Sequence, residues 1–186
     1  MKISALILAL GMGWGWHCAA GEKICPTNAP AVIALRDQFE ATRTLKFPTT
    51  NLTFLTIADK AGSEQIAAWV GPVKQRFGEQ VTIEGIADVS AVPRPFRGMV
   101  RRKFQKAQSH PVMLDWSGDT VKAFATAADQ ANVFVLDQQG KILKRLSGKA
   151  TEQSIEELCV TIEEALADAK KRVASRSWPA PNKLQQ

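Results

Sequence analysis

The chain has 186 residues, 45% of them hydrophobic and 23% charged, and a formal net charge of +6 at pH 7. That composition excludes a disordered or fibrous chain, and the length suits one ordinary domain with a buried core rather than two. No repeat or low-complexity tract interrupts it.

In chain order, Lys2 precedes the apolar run Ile3 to Leu10, a Gly/Trp segment and then Cys18-Ala19-Ala20. This is the layout of a secretory signal peptide over residues 1–20, so the protein is expected to be exported, periplasmic or secreted. Roughly 14 residues from Ile3 to Trp16 fall short of the ~20 that span a bilayer, and no membrane span is expected in the mature chain. Removal after Ala20 leaves Cys25 and Cys159. Two readings stand for them: one disulfide in an oxidising compartment, or a Cys25 on a loose segment and a Cys159 packed in the core.

Residues 21–48 read as an N-terminal helical extension. Its helix is predicted from Asn28 to Thr42, with Pro30 in the first turn and Val32, Leu35 and Phe39 at helical spacing. Leu52 to Ile57 reads as a buried strand, Ser63 to Phe77 as a helix with Ile66, Trp69, Val70, Val73 and Phe77 on one face, and Val81 to Ala87 as a second strand. A second helix is predicted around Pro95 to Ala107, then a short strand at Val112 to Leu114 and a short helix from Asp119. Val133 to Leu136 lacks alternation and is expected at the centre of a sheet, with Lys141 to Leu146 as its hairpin partner across Asp137-Gln138-Gln139-Gly140. A long helix from Thr151 to Val173 carries the stripe Ile155, Leu158, Cys159, Ile162, Leu166, Ala169 and Val173. The main domain is thus placed at 49–173, followed by a basic, flexible tail at 174–186.

The segment from His110 to Gly148, with Pro111-Val112-Met113-Leu114-Asp115, Val121-Lys122-Ala123-Phe124, Val133-Phe134-Val135-Leu136-Asp137 and Gly140-Lys141-Ile142, resembles the second half of the thioredoxin-like redoxins related to peroxiredoxins. Within that superfamily the cysteine-free centre, the Ala87-Asp88-Val89-Ser90 loop and the basic helix look most like the YtfJ-type periplasmic proteins. The resemblance implies a three-layer α/β/α domain of the thioredoxin-like class, with a mixed central sheet, the N-terminal helix and the long C-terminal helix.

It also implies a redox site that this chain does not spell out. Dithiol chemistry needs a thiolate at the mouth of the first domain helix and a resolving thiol three residues on. Ala58 to Ala67 contains no cysteine there, and neither a thioredoxin pair nor a peroxidatic residue can be assigned. The cis-proline of the family falls near Ala131, and no proline lies between Pro111 and Pro179. No catalytic residue, cofactor or metal ligand set is expected. Asp59, Asp88, Asp115 and Asp137 each end an apolar run, where they read as turn and cap residues or, in pairs, as ligands for a hard cation.

The most asymmetric feature is the basic segment Arg94, Arg97, Arg101, Arg102, Lys103 and Lys106, threaded by Phe96, Met99, Val100 and Phe104. It suits an anionic surface or an acidic protein partner, or is an ordinary solvated face; nucleic acid is not expected as a partner. The reading is a partner-binding or adaptor module without catalysis. Its alternative is a thiol-disulfide or peroxide redox protein that uses Cys25 and Cys159.

Overall fold

The computed structural model describes residues 25–176, so the expected signal segment at 1–20 and the tail beyond Arg176 lie outside the described residues. The chain opens with a β-hairpin, β1 (Val32–Arg36) and β2 (Thr42–Lys46), paired antiparallel. This corrects the helix expected over Asn28–Thr42. Alternation wins over helical spacing: Ile33 and Leu45 turn inward and are buried, while Val32 and Phe39 are about half exposed. Asp37 closes the five-residue turn by accepting the N–H groups of Phe39 and Ala41 on Oδ1, and Glu40 takes a positive φ of 66°.

The remaining strands form one five-stranded sheet. β3 (Leu52–Ala58) leads through a 3-10 turn at Gly62–Gln65 into α1 (Ile66–Phe77), and β4 (Val81–Asp88) returns parallel to β3. A turn at Arg94–Phe96 precedes α2 (Arg97–Ala107), after which come β5 (Met113–Asp115) and α3 (Asp119–Ala123). β6 (Asn132–Leu136) runs antiparallel to β3 and pairs with β7 (Ile142–Ser147), and α4 (Glu152–Arg176) closes the domain. The strand order is β5-β4-β3-β6-β7, parallel on one side of β3 and antiparallel on the other. β3 and β6 are buried along their whole length, as runs without alternation require.

α1 and α4 cover one face, where Trp69, Val73, Phe77, Leu158, Cys159 and Ile162 pack on Phe54, Val133 and Val135. The other face carries the hairpin and α3: Ile33, Leu45, Phe47 and Phe124 meet Leu55, Ile57, Phe134 and Leu136. α2 lies at the β4–β5 edge and has no fully buried residue, with Val100 and Phe104 resting on Ala87, Val89 and Leu114. Two anchors fix the outer elements. Trp69 Nε1 donates to the Gly148 carbonyl at 2.9 Å. At the β6–β7 turn, Gly140 has φ 85°, and an added Cβ would meet the Phe47 ring at 2.8 Å, so the ring can lie on the turn only because residue 140 is glycine.

Candidate functional site

The carboxyl end of the sheet, where α1 begins, is the place for a redox site in this topology. The first residue of the turn into α1 is Gly62, and the fourth is Gln65. Neither position offers a thiol. A Cβ on Gly62 would lie 2.2 Å from the carbonyl oxygen of Gln130 and 2.8 Å from the nitrogen of Ala131, so backbone fills the space that a side chain at residue 62 would need. Asp59 ties the two loops: Oδ1 accepts Gly62 N–H at 2.8 Å and Oδ2 accepts Asp129 N–H at 2.6 Å.

Ala131 is fully buried, and its main-chain groups are already paired. Its N–H donates to Gln65 Oε1 at 3.2 Å, and its carbonyl accepts Gly148 N–H at 2.8 Å. Asn132 organises the rest of the loop, donating from Nδ2 to the carbonyls of Ala127 and Gln130 and accepting Ala127 N–H. What remains open is a cavity of about 70 Å³ beside Ile57, Asp59, Asp88 and Asn132, room for one or two waters and not for a peptide. The described residues contain a cis peptide bond at Phe47-Pro48, on the hairpin, and none before β6.

The four strand-end aspartates serve turns. Asp88 accepts the N–H and hydroxyl of Ser90. Asp137 accepts the N–H groups of Gln139 and Lys141. Asp115, fully buried, takes the N–H groups of Ser117 and Gly118 on one oxygen and those of Thr120 and Val121 on the other, which starts α3. Among the described residues no three acids, histidines or cysteines gather into a metal-binding group.

Cys159 is a free thiol in the core, 1% exposed, and burial pushes its pKa up. It therefore forms no bridge with Cys25, which corrects the disulfide reading of that pair. A buried thiol held in its neutral form is also a poor nucleophile, so the alternative redox pair does not assemble here.

The basic segment is sorted by the structure into two groups. Arg97 turns inward: its guanidinium lies over the Trp116 ring at 5.1 Å and donates to the Trp116 carbonyl at 3.2 Å, while its Nε is buried without a partner. Arg101 pairs with Glu40 of the hairpin turn. Arg94, Arg102, Lys103 and Lys106 are exposed. The apolar residues that thread the segment are sorted too: Val100 and Phe104 rest on the domain, while Phe96 and Met99 are 54% and 43% exposed.

Sequence reasoning missed Gln38, which is fully buried at the hairpin tip. Its Nε2 donates to the carbonyls of Gln108 and His110, its Oε1 accepts Val112 N–H, and Gln105 donates to its carbonyl. These bonds fasten the tip to the end of α2. A lone glutamine in a polar stretch carries no periodic signal, and nothing local could have marked it.

No family model matches the sequence, and no curated protein matches it. Solved structures do. The chain is similar to the pneumococcal exposed lipoprotein thioredoxin Etrx1 of Streptococcus pneumoniae at 15% identity, covering 72% of this chain and 99% of that one with a TM-score of 0.57. A thiol:disulfide interchange protein of the thioredoxin family from Chlorobium tepidum gives 17% identity, 76% and 97% coverage and a TM-score of 0.52. StoA of Bacillus subtilis gives 18%, 70% and 98%, and 0.53. What these neighbours share with the chain is the thioredoxin-like α/β fold.

Proposed function

We propose that this is an exported, thioredoxin-fold binding module that recognises a partner through its surface and does not turn over disulfides or peroxides. The observation that carries the reading is the contact at the mouth of α1, where Gly62 abuts the Gln130 carbonyl and leaves no space for a side chain at residue 62. Paired main-chain groups on Ala131 support it, because an incoming peptide would find no free edge to bond. Export is supported by the sequence layout of residues 1–20 and by a neighbour whose name describes an exposed lipoprotein. The narrower likeness to the YtfJ-type periplasmic proteins belongs to the same reading. Acidic protein or anionic surface is the partner class suited to the cations of α2, with no nucleic acid.

Purified protein, given a suitable reductant, is expected to reduce insulin and peroxide at background rates. Turnover abolished by Cys25→Ser or Cys159→Ser would sink the proposal.

A further inference from the structure

We infer that the outward face of α2 is a docking surface for an anionic phospholipid membrane. This deepens the binding-module reading and rests on it. From Arg94 to Ala107 the chain carries Arg94, Arg97, Arg101, Arg102, Lys103 and Lys106, and no acidic residue. Arg97 and Arg101 are spent on Trp116 and Glu40, so the charge that faces solvent belongs to Arg94, Arg102, Lys103 and Lys106. With Val100 and Phe104 turned to the domain, the 100° step per residue puts Met99, Arg102 and Lys106 on the opposite side and Lys103 on the flank, while Phe96 ends the turn that leads into the helix.

Two large apolar side chains thus stand in water among four cations. Phe96 and Met99 are among the most exposed large hydrophobics of the described residues. A purely ionic partner would have no use for them. A helix lying in a headgroup layer uses both: the cations meet lipid phosphates, and the apolar side chains reach the acyl boundary. The cavities beside α4, between β2 and β4, and at the mouth of α1 are lined by other elements. None of these three would seat a small anion or a peptide against α2, whereas a planar charged surface can lie along its exposed side chains. The helix is already formed, held by the Arg101–Glu40 pair and the Gln105–Gln38 bond, so docking needs little ordering.

The test is vesicle co-sedimentation of the full chain, read as the ratio of partitioning into phosphatidylglycerol-containing vesicles over pure phosphatidylcholine vesicles. The ratio cancels what the apolar run at residues 3–16 contributes to both. Wild type should favour anionic vesicles, and the preference should fall as salt rises. At ~1 kcal/mol for each Lys or Arg at an anionic surface, Arg102→Gln, Lys103→Gln and Lys106→Gln together should lower the ratio on the order of a hundredfold. Phe96→Ser with Met99→Ser should lower anionic partitioning about tenfold or more, while thermal unfolding of both variants stays at the wild-type midpoint.

An equal ratio for wild type and the triple variant overturns the proposal. So does a Phe96→Ser/Met99→Ser variant that partitions as wild type, because the face then acts as a simple polyanion site. Binding to polyglutamate without binding to anionic vesicles would reassign the face to an acidic protein and leave the binding-module reading standing. Insulin reduction by the same preparation would remove that reading without touching the vesicle result.

Discussion

A Cβ on Gly62 would strike backbone, and backbone cannot swing aside as the tip of a flexible side chain can. Overpacking costs about 1–3 kcal/mol in general, and Gly62→Ala should sit at about 2 kcal/mol or above, read as a lower denaturant midpoint; an unchanged midpoint would mean the loop yields and the mouth of α1 can open. Gly62→Cys with Gln65→Cys should accordingly restore spacing without restoring activity. Cys159, its thiol neutral and buried between α4 and the sheet, should resist aromatic disulfide reagents until the domain unfolds, and labelling should follow global opening. Fast labelling of Cys159 in the native state would contradict its burial. Glu84 is the residue that responds to pH. It lies mid-strand in β4, where burial pushes its carboxyl up and Arg43 at 3.7 Å pulls it partly back. Because the folded value lies above the unfolded one, its stabilising contribution is full below the ordinary carboxylate range and is lost as pH rises through the folded value. Glu84→Gln should therefore be more stable than wild type at neutral pH, with the difference vanishing in acid, as measured by urea midpoints across pH. A difference that stays constant with pH would assign the effect to packing instead.

Among the elements, the hairpin and α2 are held to each other as firmly as to the sheet. Gln38→Ala would strip partners from Val112 N–H and from two carbonyls, and a buried polar group left unpaired costs about 1–3 kcal/mol. A loss of about 2 kcal/mol is expected, together with faster hydrogen exchange at the end of α2; a loss confined to the hairpin would show that the tip is not a tie. The elements that the sequence made legible are those with one-sided or fully apolar patterns: β3, β6, α1 and α4 all lie within a residue or a few of their expected bounds. The hairpin was not legible, because Val32, Leu35 and Phe39 imitate a helical stripe while Ile33, Leu45 and Phe47 hold the true two-residue period. Tertiary cover decided between them, since the sheet face formed by Leu55, Ile57 and Phe134 needed a lid that no local pattern announces. α2 was legible as a helix, but not in its orientation: the sequence does not tell Phe96 and Met99 from Val100 and Phe104, and only the β4–β5 edge shows how little surface there is to bury all four against.

For the whole molecule, the hairpin packs on the domain placed at residues 49–173. It supplies Ile33, Leu45 and Phe47 to the same cluster that contains Leu55, Phe124, Phe134 and Leu136, and the segment before it pairs across the start of β7 through Asn28 and Lys141. Without that cover, one face of the sheet would offer water a contiguous apolar surface, while α1 and α4 protected only the other. The lack of a thiol at the mouth of α1 was legible from cysteine positions alone, but the close approach of backbone there was not, because it depends on two loops, at Gly62 and Gln130, that lie far apart in the chain. Both facts predict one cooperative unit. Leu45→Ala, a deletion in the hairpin, should cost about 2–5 kcal/mol for the whole fold, and at about 2–4 °C per kcal/mol for a domain of this size its thermal midpoint should fall by roughly 5–15 °C. The fall should be the same whether followed by far-UV circular dichroism or by the emission of the tryptophans, of which Trp69 is buried across the sheet, and amides of β2 and β6 should exchange through openings of equal free energy. If β2 exchanges through a much cheaper opening while the midpoint of the sheet is unmoved, the hairpin is a separately folding flap, and the boundary at residue 49 is a true domain boundary.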